Sequence, residues 1–319
     1  MIDFQRLSRE RHKILLVNDD QDAHRLSRMA LRSLTYGGRG IEILNARSGE
    51  HAVEVLHTTP NVAVILLDAT AEADGCSLET CERIRNEMGN SLVRILLRTD
   101  QPITDFSRSV FQSFDIDGHL CRKNFTSARL YSAMRTSLKN FAENARQERH
   151  RSAFQQIDDR MLSLRSYESP ETMMERVVNT GIEVLWASEL AIHLRLSITD
   201  HKKEYTLTHV RSGEPADIMR RETELRQRIS SWTDPRTATH GSRAYAPEIF
   251  ENGLLVRFTL AHGLGEGWIF MAVEDRDLFT RHCLGLIARH ATNSFYGAAA
   301  QRQIHFERPR STQAVQLSA

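Results

Sequence analysis

No charge of either sign dominates this chain: 42 Lys and Arg stand against 41 Asp and Glu, a formal net charge of +1. A balance so near zero gives no global electrostatic case for nucleic acid or for an acidic membrane surface, and neither is expected as a partner. Long apolar runs are missing too. The longest, residues 62–67, is far short of the ~20 residues that span a bilayer. The opening MIDFQRLSRERHK lacks the apolar core of a secretory signal, so a cytoplasmic protein is expected. The four cysteines (Cys76, Cys81, Cys121, Cys283) show no CxxC or metal-ligand spacing and read as reduced thiols. The glycine-rich HGLGEG is followed by no Lys-Ser or Lys-Thr and by no helix start, which makes it a hairpin turn and not a phosphate loop.

What is present is a globular composition, 40% hydrophobic and 26% charged, over 319 residues, a length suited to two domains. In the first half, apolar runs alternate with amphipathic stretches. KILLV at 13–17 and NVAVILLD at 61–68 are continuous apolar runs that end in acids, the mark of strands covered on both faces of a parallel sheet. Between them, Leu26, Met29, Ala30 and Leu34 recur at spacings of three and four, GIEILNARSG reads as a strand, and residues 49–56 read as a helix. CSLETCERIRNEM then predicts a helix, RILLRT a strand, SRSVFQSF a helix and GHLCRK a short fifth strand. Five strands alternating with helices predict an α/β, doubly wound, flavodoxin-like sheet.

In such sheets ligands bind beyond the carboxyl ends of the strands. That rule gathers Asn18, Asp19 and Asp20, Asp68, Thr99, and Arg122 with Lys123 on one edge. Acids, a hydroxyl and a cation together suit phosphoryl transfer to a carboxylate, which needs an ionised nucleophile, a hard cation and fixed positive groups. Asp19, Asp68 and the backbone carbonyl of Thr70 could hold Mg²⁺, with Asn18 and Asp20 in its outer shell.

ILLVNDDQD after the first strand, LLD ending at Asp68, Gly75 seven residues on, RILLRT and KNF resemble the receiver domains of two-component response regulators over about residues 13–141. The resemblance implies that Asp68 accepts a phosphoryl group from a histidine kinase or phosphotransfer protein, with Asp19 a Mg²⁺ ligand, Thr99 the switch hydroxyl and Lys123 the phosphate-pairing cation. GNSLVRILLRTDQP and FDIDGHLCRKNFT resemble more closely the receiver-type regions of bacterial regulators that carry an uncharacterised middle domain ahead of a cyclic-di-GMP phosphodiesterase. That comparison puts Arg122 in place of Lys123. Asn18 departs from the acid of most receivers, and Glu72 from the usual proline. A scaffold of the same fold that is never phosphorylated stays open as an alternative, with the second domain sensing a small ligand.

Residues 126–165 are nearly free of Gly and Pro and predict one long helix. Leu130, Met134, Leu138 and Phe141 form a first apolar stripe. Phe154, Ile157, Met161 and Leu164 form a second, expected to pair with another copy of the chain in a homodimer. Beyond it, Ser169 and Pro170 start a helix, ELAIHLRLSI and KKEYTLTHVRSG read as strands, 219–229 as a charged helix, 254–275 as a hairpin and 278–301 as a terminal helix. That order, and LFTRHCLGLIARHATNSFYGA, resemble a GAF or PAS-like α+β sensory domain. The expected organisation is a receiver at 1–145, a helical connector at 146–167, a GAF-like domain at 168–303 and a disordered tail at 304–319. Motifs of a phosphodiesterase, a cyclase, a kinase ATPase or a helix-turn-helix are not found, which predicts a chain that is not an enzyme and acts through protein contacts or a bound ligand.

Overall fold

The computed structural model describes residues 10–68, 74–100, 111–163, 169–198, 203–212 and 245–307, with three further residues between 223 and 227. The chain divides into two compact units, Met1–Arg149 and His150–Ala319. Among the described residues no helix is long and apolar enough to cross a membrane.

The first unit contains β1 (His12–Val17), α1 (Gln21–Leu31), β2 (Thr35–Tyr36), β3 (Arg39–Ala46), α2 (Gly49–Thr58), β4 (Val62–Asp68), α3 (Asp74–Glu82), β5 (Arg94–Thr99) and β6 (Gly118–Cys121). The last helix, α4 (Ser127–Leu162), begins here. The sheet order is β2-β3-β1-β4-β5-β6, and every neighbouring pair from β3 to β6 is parallel. Leaving out β2, this is the doubly wound order in which the chain reverses direction between β1 and β4, opening a crevice at their carboxyl ends.

Side-chain alternation along the strands fills two cores. Leu15, Val17, Ile65, Leu67, Ile95 and Leu97 face α2 and α3 with Ala52, Val53, Leu56, Cys81 and Ile84. Ile14, Leu16, Leu66, Leu96 and Leu120 face the other way, against Leu31, Leu34 and the first stripe of α4, where Leu130, Met134, Leu138 and Phe141 are all buried. A strand covered on both faces can carry no polar alternation, which is why these runs are continuously apolar.

The sixth strand, β2, has no counterpart among the five expected. It pairs antiparallel with β3 across Gly37 and Gly38, both at positive φ, in a Gly-Gly hairpin turn. The first half of the predicted helix over SRSVFQSF lies outside the described residues, and residues 111–113 of its second half are helical. Helix α3 ends in a π-turn, Arg83–Glu87, followed by Gly89 at φ +61°.

Cys81 and Cys283 are fully buried, and burial pushes the Cys81 thiol up to about 11. A thiolate is the reactive form, so both are expected to resist alkylation in the native protein while the half-buried Cys121 reacts. Peptide mapping after a brief iodoacetamide pulse checks this; native labelling of Cys81 at the Cys121 rate would contradict it.

The second unit takes the remainder of α4, then α5 (Pro170–Leu185), β7 (Glu189–Ile198), β8 (Lys203–Ser212), β9 (Glu248–Phe250), β10 (Gly253–Leu260), β11 (Gly265–Ala272) and α6 (Leu278–Glu307). Its five strands form an antiparallel sheet, β8-β7-β11-β10-β9. Ser169 caps α5 by accepting from the Thr172 amide, as its sequence predicts, with Pro170 in the first turn. Helices cover one sheet face: Met173, Val177, Leu284, Ile287 and Phe295 pack on Leu190, Ile192, Leu194, Val256, Phe258 and Ile269.

The second stripe of α4 corrects an expectation. Ile157 and Met161 are fully buried in this same core, together with Ala153, so the seam meant for a second copy is taken up within the unit. Ile157 and Met161 therefore offer no apolar seam to a second copy. Of the charged helix expected at 219–229 only residues 223, 224 and 227 are described, all helical, and the tail beyond residue 307 lies outside the described residues.

Candidate functional site

Strand β4 is apolar up to its last residue because both its faces are covered. The chain can become polar only where the strand leaves the sheet, and there it places Asp68. The Asp68 side chain is only 3% exposed, and its two oxygens have different surroundings. Oδ2 accepts from Nε of Arg98 at 3.0 Å, from Nη2 of the same guanidinium and from Nδ2 of Asn18. Oδ1 accepts from Nε of Arg122 at 3.1 Å and from its Nη2.

Each partner is fixed by its own element. Arg98 is the penultimate residue of β5, its side chain 9% exposed and its guanidinium 5.3 Å from the centre of the Phe125 ring. Arg122 opens the 3-10 turn after β6, is 34% exposed and also reaches Asp100 at 3.5 Å. Burial alone would lower the Arg122 pKa, but its hydrogen bonds and charge contact with Asp68, helped by Asp100 and Asp19, more than offset this and raise it. Asn18 is held at three points: its backbone amide donates to Ala46 O at 3.0 Å, its carbonyl pairs with the His24 ring at 2.7 Å, and its Oδ1 accepts from the Asp20 amide at 2.6 Å.

The other expected residues take different roles. Asp20, expected in an outer metal shell, is the N-cap of α1 and accepts from the Asp22 amide at 2.8 Å. Asp19 is exposed beside this edge. Thr99 directs its hydroxyl to Nε2 of His119 at 2.6 Å. Lys123 is exposed, and among the described residues Arg122, one position earlier, is the cation of that pair that meets Asp68. Thr70 lies outside the described residues.

Two functional residues escape the sequence reading, Arg98 and His119. Arg98 carries a usable signal, since an arginine that closes the apolar stretch of RILLRT must find a counter-charge if the strand is buried.

The donor set bears on Mg²⁺. A carboxylate offers about four lone-pair positions, and five donor groups already converge on Asp68. A divalent cation there would have to displace one guanidinium and then sit beside the other. Among the described residues no group of three or more His, Cys, Asp or Glu is arranged to hold a metal. The residues as arranged do not fit a Mg²⁺ ion.

A second cluster pins β5 to β6 at their amino ends, the opposite end of the strands from Asp68. Asp117 accepts from Arg94 at 2.7 Å, Arg85 at 3.1 Å and the Ile95 amide at 2.7 Å, and its own amide donates to Ile95 O at 2.9 Å. These contacts lock the β5–β6 register that aligns Thr99 with Cys121 and sets Thr99 beside His119.

No family model matches the chain. It is similar to the 3'3'-cGAMP-specific phosphodiesterase 2 of Vibrio cholerae serotype O1, 24% identical over 232 residues that cover 68% of this chain and 44% of the relative. The chain therefore matches less than half of that protein's length. This relative corrects the expectation of a chain that is not an enzyme, because the protein it resembles is a phosphodiesterase. Among solved structures, the signal receiver domain of an HD domain-containing protein from Pseudomonas fluorescens Pf-5 is 18% identical, with a TM-score of 0.34 over 42% of this chain and 99% of its own. The N-terminal domain of a response regulator receiver protein from Methanoculleus marisnigri JR1 is 28% identical, with a TM-score of 0.30 over 39% of this chain and 93% of its own. The Mn²⁺-bound form of a response regulator is 19% identical, with a TM-score of 0.31 over 39% and 90%.

Proposed function

We propose that the chain is a receiver-type response regulator in which Asp68 takes a phosphoryl group from a phosphohistidine of a sensor kinase or phosphotransfer protein, and that it works in cyclic-dinucleotide phosphodiesterase signalling. The observation that carries this reading is Asp68 at the carboxyl end of β4, at the reversal point of a doubly wound sheet, with two guanidinium groups on its oxygens. Fixed cations are what a transferring phosphoryl group requires, and arginine presents a planar fork that pairs with its oxygens.

Transfer balances as follows. Oδ1 of Asp68 attacks phosphorus, the phosphorus–nitrogen bond of the phosphohistidine breaks, and its electron pair returns to the imidazole nitrogen. An acyl phosphate is left on Asp68. The partly exposed Arg122 swings from Oδ1 onto the phosphoryl oxygens, while the buried Arg98 stays on Oδ2. The added charge then draws on the Thr99 hydroxyl, whose present partner is His119, and repacks the edge formed by β5 and β6.

The antiparallel sheet of the second unit, with helices on one face, supports a GAF or PAS-like sensory domain as the element that responds. The similarity to a 3'3'-cGAMP phosphodiesterase supports a cyclic dinucleotide as the pathway's currency.

Intact mass after incubation with phosphoramidate or a phosphorylated phosphotransfer protein tests the reading. A single phosphoryl adduct on the wild type and none on Asp68→Asn is expected. Absence of the adduct with both donors would overturn phosphorylation and favour a scaffold that signals without it.

A further inference from the structure

We infer that the Asp68 site works without a divalent cation, the guanidinium of Arg98 standing where a cation would otherwise neutralise the carboxylate. Only the transfer half of this inference rests on Asp68 being a phosphoacceptor; the cation-binding half stands alone.

Three observations carry it. The first is saturation: Arg98 and Asn18 direct three donor groups at Oδ2, and Arg122 directs two at Oδ1. A metal ion accepts electron pairs, so each occupied lone pair is one it cannot use.

The second is that the displaceable element is the wrong one for a metal. Arg122 is a third exposed and can leave, but Oδ2 is held by Arg98, which is buried, stacked over Phe125 and anchored on a central strand. Ejecting it would strand a guanidinium among apolar side chains, so a metal would have to bind tightly enough to offset that loss.

The third is Asn18. Its amide donates to Asp68 and so acts as a hydrogen-bond donor where an acid could only repel. Against the receiver pattern, Asn in place of an acid removes one negative charge, and a guanidinium in place of a divalent cation removes one positive charge. The net charge around Asp68 is unchanged, so the departure at position 18 and the arginine at position 98 belong to a single exchange.

Of the other carboxylates at this edge, Asp19 is exposed and two are engaged elsewhere. Asp20 is committed to capping α1, and Asp100 to Arg122.

Two measurements on the full chain decide the matter. In calorimetric titration with MgCl₂, the wild type is expected to show no saturable binding that depends on Asp68. The Asn18→Asp, Arg98→Met double variant is expected to gain saturable binding, at least about tenfold tighter than the weakest affinity the titration can detect. In the mass assay, phosphoramidate is expected to label the wild type to the same extent in EDTA as in Mg²⁺.

Saturable Mg²⁺ binding by the wild type that is lost in Asp68→Asn would overturn the inference. So would an adduct formed only with Mg²⁺, or a folded double variant that gains no binding. Should the double variant fail to fold, the wild-type titration decides alone. An adduct missing under both conditions removes the phosphoacceptor reading and leaves the titration to judge the cation.

Discussion

Replacing Asp68 by alanine is expected to destabilise the first unit by about 3 kcal/mol, because it removes the shared counter-charge of two arginines, one of them buried. Most of the loss falls on Arg98, which is 9% exposed; Arg122 is 34% exposed and recovers part of its hydration. For a unit of this size the loss corresponds to a melting point lower by roughly 10 °C.

The double variant Asp68→Ala, Arg98→Met is expected to regain part of that stability, since the stranded charge is gone and the methionine packs against Phe125. A thermal or urea unfolding cycle over the four proteins measures the coupling. An Asp68→Ala protein as stable as the wild type, with no coupling to position 98, would mean that the clamp does not form in solution. Asp68→Asn keeps one acceptor oxygen and falls between the two. Its signalling phenotype is therefore interpretable only beside its own unfolding curve.

The second large effect is expected at Asp117. Both its arginines are buried, Arg85 at 7% and Arg94 at 9% exposure, and it also holds the Ile95 amide. Asp117→Ala leaves two guanidinium groups and a backbone donor without this acceptor, at a cost of about 3–5 kcal/mol.

The pH dependence of that cost has an unusual sign. Burial raises the Asp117 pKa above the ordinary carboxylate value, although the Ile95 amide, Arg94 and Arg85 oppose it. A group raised in the folded state contributes its full stability below its unfolded value and loses it as pH climbs through the folded one. The gap between wild type and Asp117→Ala is therefore expected to widen as pH falls through the carboxylate range, opposite to an ordinary salt-bridged acid. Urea unfolding of both proteins from pH 7 down to about pH 4 reads this directly. A gap that narrows on acidification would show that the arginines outweigh burial.

The sequence is most informative where one periodicity controls one element. The apolar runs of β1, β4 and β5 can only be covered strands, and the rule that ligands bind beyond strand ends picks out Asn18, Asp68 and Thr99 from those runs alone. The stripe from Leu130 to Phe141 is likewise legible as part of the first core. The second stripe misleads because apolar spacing along a helix shows that a face is buried, and says nothing of whether the covering surface comes from the same chain. Ile157 and Met161 are covered by their own unit.

Arg98 is hidden for a related reason. It stands on a strand otherwise read as core, and its partner is 30 positions away in sequence on the neighbouring strand. Pairing at that distance is a property of the sheet and cannot be read from spacing. The strands β2 and β9 are too short for any periodicity to register, although Gly37 and Gly38 mark the turn beside the first.

Helix α4 has an energetic consequence for the chain as a whole. It is unbroken from Ser127 to Leu162, yet the stretch ending at Ala145 completes one core and the stretch beginning at Ala153 completes the other. Helix initiation is the unfavourable step, and extension is nearly free of it. Once either core has ordered its stretch, the other inherits a helix already begun and incurs only elongation. Each core thus lowers the free energy of forming its neighbour through the shared helix, and the two should melt with more cooperativity than separate domains on a flexible tether.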